Sequence, residues 1–221
     1  MEVFQVSKLK KLDALAKEIG LDERILMENA SSNLFKVIDD LNLGKKVLVI
    51  SGRGNNGADV LSCARKLFSR GYEVEVVVLE EKELGSQACF QKGILEKIGC
   101  VIYSIKKDNV LELQKLFVDK DFILEGILGI GVKGKVSPFL GEVISFINGS
   151  NKKVVSCDVP SGLSPDDGIA LGQAIKADYT VTFIASKPGF YLKQGPSFCG
   201  QISIVDIGVS CNILERLMEI K

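Results

Sequence analysis

The chain contains no histidine. That absence excludes a Ser-His-Asp triad, a Cys-His pair and any His-ligated zinc site. Catalysis must then rest on carboxylates, lysines, hydroxyls, backbone amides or a bound ion. Charge of one sign is lacking too: Lys+Arg and Asp+Glu both number 28 in 221 residues, so the formal net charge is zero. With no basic run, nucleic acid is not an expected partner. No apolar run approaches the roughly 18 residues of a membrane span. The start, Met1-Glu2-Val3-Phe4-Gln5, has neither the basic region nor the apolar core of a secretory leader. The six cysteines (Cys63, Cys89, Cys100, Cys157, Cys199 and Cys211) form no C-x-x-C pair. They lie mostly in apolar runs and read as small core residues in a reduced compartment, so a cytoplasmic protein is expected.

What is present is globular composition, 46% hydrophobic and 25% charged. Val6, Leu9, Leu12, Leu15, Ala16 and Ile19 recur at helical spacing, ended by Gly20, and Ile25 to Leu41 carries a second such stripe. Strands and helices then alternate. Strands are expected at 45–51, 72–79, 100–104, 121–125, 153–157, 179–184 and 201–205, and helices at 58–70, 86–98, 109–118 and 138–148. Strands separated by helices predict a mostly parallel, doubly wound sheet in a Rossmann-like three-layer αβα sandwich. The near-continuous apolar runs fit strands covered on both faces. With no linker or repeat, residues 1–221 read as one domain with N-terminal helices.

Three loops carry the chemistry. Gly52-Arg53-Gly54-Asn55-Asn56-Gly57 fits G-x-G-x-x-G between a strand and a helix. Its glycines would admit backbone close to a ligand, with helix-start amides that attract anions. Glu80 ends the next strand, where dinucleotide folds place a ribose-binding acid. Asp59 reads as a first-turn residue complementing the helix end. It would repel a phosphate placed beside it, and Asn55 and Asn56 add amide oxygens, so a cation or polar ring is an alternative ligand. The second loop, Glu125–Lys135, joins an acid at a strand end to four glycines and two lysines, which suits a diphosphate. The third is Asp158-Val159-Pro160-Ser161-Gly162, a sharp turn after an apolar strand. In the order 3-2-1-4-5 all three loops meet at the topological switch point, where Asn56, Glu125, Asp158 and Ser161 would offer hard oxygen ligands.

At these residues the chain resembles the YjeF N-terminal domain family, the NAD(P)H-hydrate epimerases. Leu26-Met27-Glu28-Asn29-Ala30 is similar to the family's L-M-E-N-A, and Gly54–Asp59 to G-N-N-G-G-D. Glu125–Gly131 resembles D-A-L-F-G-T-G, Asp158–Leu163 matches D-[IV]-P-S-G-L, and Lys187-Pro188-Gly189 is similar to a later K-P-G. The resemblance implies a Rossmann-like fold, often dimeric, that interconverts the R and S hydrates of NADH and NADPH at nicotinamide C6. A dehydratase, separate or fused, then repairs the S form. It also implies potassium held by Asn56, Glu125 and Ser161. Substrate would be held by Asn55, Asn56, Gly57, Ala58, Asp59, Gly129, Ile130, Gly131, Val132, Lys133, Gly134 and Lys135, with Asp158 at the reacting end as the catalytic acid–base.

Two departures from the family pattern matter most, beside Asp59-Val60 in place of the usual D-G. Ala58 replaces a glycine, adding a methyl where backbone is expected to approach the ligand, and Glu125 replaces an aspartate with a carboxylate about one methylene longer. Epimerisation needs the C6 hydroxide to leave with help from the ring nitrogen, then water to return on either face; no redox step is needed. Two alternatives stand beside it: a non-catalytic nucleotide-binding scaffold of the same fold, and an NAD(P)-dependent oxidoreductase.

Overall fold

The strand Lys46–Ser51 (β1) shows how the sheet is built. Val47 and Val49 enter one apolar layer with Met27, Leu34 and Ile38, whereas Leu48 and Ile50 enter another with Val143, Ile144 and Ile147. Alternate side chains leave a strand on opposite faces. A strand covered on both sides therefore needs apolar residues on both faces, as Val47 to Ile50 supply.

The computed structural model describes residues 2–132 and 134–208, with Asn212, Arg216 and Glu219 beyond them. Two helices, α1 (Val6–Glu18) and α2 (Glu23–Leu41), precede β1. There follow α3 (Asn55–Ser69), β2 (Glu73–Leu79), α4 (Ser86–Lys97), β3 (Val101–Ile105), the one-turn α5 (Leu113–Leu116) and β4 (Phe122–Gly126). The chain continues through α6 (Pro138–Gly149), β5 (Lys153–Cys157), β6 (Tyr179–Phe183), α7 (Pro196–Cys199) and β7 (Gln201–Val205). The seven strands form one sheet in the order β3-β2-β1-β4-β5-β6-β7, every pairing parallel. The order reverses between β1 and β4, which opens a crevice at their C-terminal ends.

Two of the expected helices differ by more than their end residues, and the one-turn α7 was not expected. Helix α3 begins at Asn55, three residues earlier than expected, so Asn55, Asn56 and Gly57 are its first turn and Asp59 lies beyond it. The expected helix at 109–118 is a 3-10 turn, Val110–Glu112, followed by α5. The Asn109 side chain accepts from Lys106 N and donates to Ser104 O, fixing a local turn in place of a longer helix.

Helix α2 is clamped to α3 by charge. The Glu28 carboxylate accepts from Arg65 Nη2 at 2.5 Å and Lys66 Nζ at 2.7 Å, beside a Ser31–Ser62 hydroxyl pair at 2.9 Å. Burial alone would raise the pKa of Glu28, but the hydrogen bonds from Lys66 and Arg65 outweigh it and pull the group down to about 2. Among the described cysteines, Cys63, Cys100, Cys157 and Cys199 are buried, Cys89 is exposed, and all are free thiols; Cys211 lies outside the described residues. Among the described residues no helix is long and apolar enough to cross a membrane.

Candidate functional site

A cavity of about 720 Å³ lies over the crevice. Its floor is the start of α3 (Gly54, Asn55, Asn56, Asp59) and the loop after β4 (Ile127 to Val132, then Lys135 to Ser137). Asp158, Phe183, Ile184 and Lys187 close one end. The wall is made by α1 and α2 through Leu9, Lys10, Asp13, Lys17, Glu23, Leu26, Met27 and Ala30. The sequence marked α1 only as an amphipathic helix; its place over the site depends on tertiary packing against Ala185 and Ile207.

Register brings the first acid to its partners. Glu125 on β4 is paired with Ser156 on β5, so their side chains share a face, and Ser156 Oγ donates to Glu125 Oε1 at 2.5 Å. Ser161 N also donates to Oε1, at 3.1 Å. Ile127 N and Ser161 Oγ donate to Oε2 at 3.1 and 2.5 Å. Each carboxylate oxygen therefore has two donors, and the residue is fully buried. Burial pushes its pKa up, and the hydrogen bonds from Ser156, Ser161 and Ile127 offset only part of that.

Ser161 and Asn56 meet Glu125 around Leu128. Ser161 Oγ accepts from Leu128 N at 2.8 Å, and Asn56 Nδ2 donates to Leu128 O at 2.9 Å and to Cys157 O at 3.1 Å. Asn56 Oδ1 is buried with no hydrogen-bond partner among the described residues. Leaving such an atom unmatched costs about 1–3 kcal/mol. An unmatched amide oxygen beside a hydroxyl and a buried carboxylate fits a hard monovalent cation. Among the described residues no three or more His, Cys, Asp and Glu side chains gather as they would for a zinc-type metal. Glu125 and Ser161 lie beneath the cavity floor; Asn56 reaches it.

Asp158 follows β5 with φ of 62°, a left-handed conformation that Asp and Asn tolerate best after glycine. Its Oδ1 accepts from Thr182 Oγ1 at 3.1 Å, Phe183 N at 3.3 Å and Lys187 Nζ at 2.5 Å. Lys187 is 1% exposed. Its ammonium also bonds Thr182 Oγ1, and Phe183 O at 3.3 Å. All three bonds to Asp158 fall on one oxygen; Oδ2 has no hydrogen-bond donor among the described residues and is left to the cavity. Asp158 is therefore not a solvated acid at a strand end: the residue is 9% exposed and ion-paired. Sequence reasoning noticed Lys187 only as part of a motif. The signal available was a lysine directly after the apolar β6 run, which burial would force to find an anion. Ile184, at the same end of the cavity, has φ of 68°, strained for a β-branched residue.

The other expected ligand residues divide. Asn55, Asn56, Asp59, Gly129, Ile130, Gly131, Val132 and Lys135 line the cavity. Gly57, Ala58 and Gly134 do not. Gly57 is glycine because a Cβ there would meet Gly52 O at 2.0 Å, and Gly52 because a Cβ would meet Ile127 O at 1.9 Å. These glycines let backbone pack on backbone rather than on a ligand. The Ala58 methyl, expected to face the ligand, is instead fully buried in the layer with Val60 and Leu61. Lys133 lies outside the described residues. Glu80 pairs with Ser104 and Lys106 over a separate, smaller cavity, so the ribose-binding place expected for it is not on the main site.

A parallel sheet with a crevice at its switch point, and a cavity holding an ion-paired carboxylate there, define a Rossmann-like αβα fold with one candidate ligand site. The family described as YjeF-related protein N-terminus matches residues 23–189. An NAD(P)H-hydrate epimerase of Elusimicrobium minutum is 30% identical, covering 98% of this chain and all of that protein. One from Rhodopirellula baltica is 31% identical, covering 95% of this chain and 85% of that one. A bifunctional NAD(P)H-hydrate repair enzyme of Dictyoglomus turgidum is 28% identical over 99% of this chain; the chain spans 43% of its length. The yeast protein ynu0 shares the fold, with a TM-score of 0.78 at 23% identity over 93% of this chain and 88% of that one. The chain belongs to the YjeF N-terminal family.

Proposed function

We infer that this chain is an isomerase, an NAD(P)H-hydrate epimerase that interconverts the R and S hydrates of NADH and NADPH at nicotinamide C6. The observation that carries the reading is the free Oδ2 of Asp158, held at the end of a cavity of cofactor size by a buried lysine. The epimerase names of full-length relatives supply the substrate. Asp158 orients toward the reacting carbon, with Lys187 and Thr182 fixing its rotamer through Oδ1. Asn55 and Asn56, with the loop from Gly129 to Val132 and Lys135, hold the dinucleotide. Leu26 and Met27 exclude bulk water from the ring. The carbon skeleton does not change, so the residues need only move protons and shield an iminium.

Asn56 and Ser161 would hold potassium by their oxygens, with Glu125 as the negative charge behind them. A bound cation there would supply electrostatic stabilisation to negative groups of the substrate. The bifunctional relatives support a dehydratase as functional partner, separate from this chain or joined to it. A homodimer and a cytoplasmic location complete the proposal; the free thiols suit a reducing compartment.

The test is chromatographic separation of the two epimers of NADHX. Purified chain added to the R epimer should bring it to equilibrium faster than the uncatalysed background. An unchanged rate over a range of protein concentrations would remove the epimerase reading.

A further inference from the structure

We propose that Asp59 is a second catalytic residue of this site, a proton donor that works with Asp158 from a different element of the cavity. The inference rests on the epimerase reading above. Two carboxyl groups, Asp59 and Asp158, line one cavity and differ in their partners. Asp158 is tied by Oδ1 to Lys187, Thr182 and Phe183. Asp59, in the second turn of α3, has no hydrogen bond or ion pair among the described residues, although it is only partly exposed and lines the cavity. An aspartate that served the fold would be capping a helix end or pairing with a cation. This one sits past the helix start and does neither.

The charges around Asp59 favour its neutral form. Burial pushes its pKa well above the usual carboxylate value, and Asp158, Glu23 and Asp13 add like charge. Among the described residues no cation lining the cavity pairs with Asp59: Lys187 is bound to Asp158, Lys17 pairs with Asp13 and Glu23, and Arg53, Lys82 and Lys135 make no ion pair with it. Lys10 lies on the same outer wall as Lys17. Two carboxyl groups in one site, one held as an ion pair and one pushed toward neutrality, are the division of labour an acid–base reaction requires.

The step balances with water alone. The Asp59 carboxyl gives its proton to the C6 hydroxyl oxygen. The C6–O bond breaks, its electron pair leaving with water, while the ring-nitrogen lone pair forms the C=N bond of an iminium. A water then adds to the other face of C6, the C=N pair returns to nitrogen, and the proton of the incoming water passes to Oδ2 of Asp158. One water leaves, one enters, and one proton moves from Asp59 to Asp158, to be returned through solvent. For the opposite epimer the same two residues exchange parts.

The experiment compares wild type with Asp59→Asn, Asp59→Ser and Asp59→Glu in the NADHX assay, with spontaneous epimerisation subtracted and kcat and KM measured separately. Asp59→Asn and Asp59→Ser should each lose about 10²–10⁴-fold in kcat with KM within about threefold, and Asp59→Glu should retain more activity than either. Two non-acidic side chains of different size guard against loss of folding in one of them, checked by circular dichroism. A kcat within about threefold of wild type in either folded variant overturns the inference. So does a rise in KM with kcat unchanged, which would make Asp59 a binding residue only. Inactivity of the wild type would instead overturn the epimerase reading on which the inference stands.

Discussion

Lys187 holds Asp158 by one oxygen: its buried ammonium donates to Oδ1 and leaves Oδ2 facing the cavity. Lys187→Met should therefore damage both fold and site. Removing one member of a buried pair typically costs about 3–5 kcal/mol, and the loss here should fall at or below that range because Asp158 also reaches the cavity. Urea unfolding checks it. The double variant Asp158→Asn/Lys187→Met should be less destabilised than the sum of the singles, the signature of a direct pair.

Asp158→Asn alone should still fold, because Asn accepts a positive φ and keeps an oxygen for Lys187. It should lose some stability, since the ammonium is left without its counter-charge. Background-corrected epimerisation should fall about 10²–10⁴-fold. Near-unchanged turnover would remove Asp158 from the chemistry.

Ala58→Gly separates packing from ligand contact. The methyl is fully buried within α3, so glycine should cost about 1–2 kcal/mol from lost helix propensity and lost apolar burial. KM should not change. A fall in KM without loss of stability would restore the reading in which the methyl crowds the substrate.

Which features could be read from the sequence follows from what each depends on. The strands were legible because parallel, doubly covered strands leave continuous apolar runs, as in Lys153–Cys157. Strand order brings the loops of Asn56, Glu125, Asp158 and Ser161 together, whereas only the family resemblance singles out Asn56, Glu125 and Ser161. The start of α3 was misplaced because glycines and asparagines read as loop, whereas Gly57 is helical and pressed against Gly52. The Lys187–Asp158 pair spans 29 residues and depends on how the chain turns after β6, which no local pattern encodes. The place of α1 over the cavity is likewise a matter of tertiary packing.

Glu125→Gln probes the buried acid. Each carboxylate oxygen accepts from one backbone amide, Ser161 N or Ile127 N. Either orientation of the amide therefore sets its NH₂ against a backbone N–H. The cost should be about 1–3 kcal/mol. If potassium binds beside it, added KCl should raise the wild-type melting temperature more than equal NaCl, and the difference should shrink in the variant.

The Glu28 clamp gives a pH prediction. Its folded pKa, about 2, lies below the ordinary glutamate value of 4.5. A depressed carboxylate pKa stabilises the fold above the unfolded value, and that contribution is lost as pH falls from about 4.5 toward 2. Glu28→Gln should thus melt lower than wild type at neutral pH, and the two curves should converge in that acid window. A constant gap down to the lowest pH would show that Glu28 acts through packing rather than charge.

The most direct test of the account follows the oxygen at C6. Epimerisation of NADHX by the purified chain in H₂¹⁸O, read by mass spectrometry of the separated epimers, should place ¹⁸O in the newly formed epimer at the enzymatic rate, because the hydroxyl leaves and water returns. A newly formed epimer that keeps its original oxygen would mean the C6–O bond never breaks, and would contradict the mechanism assigned to this site.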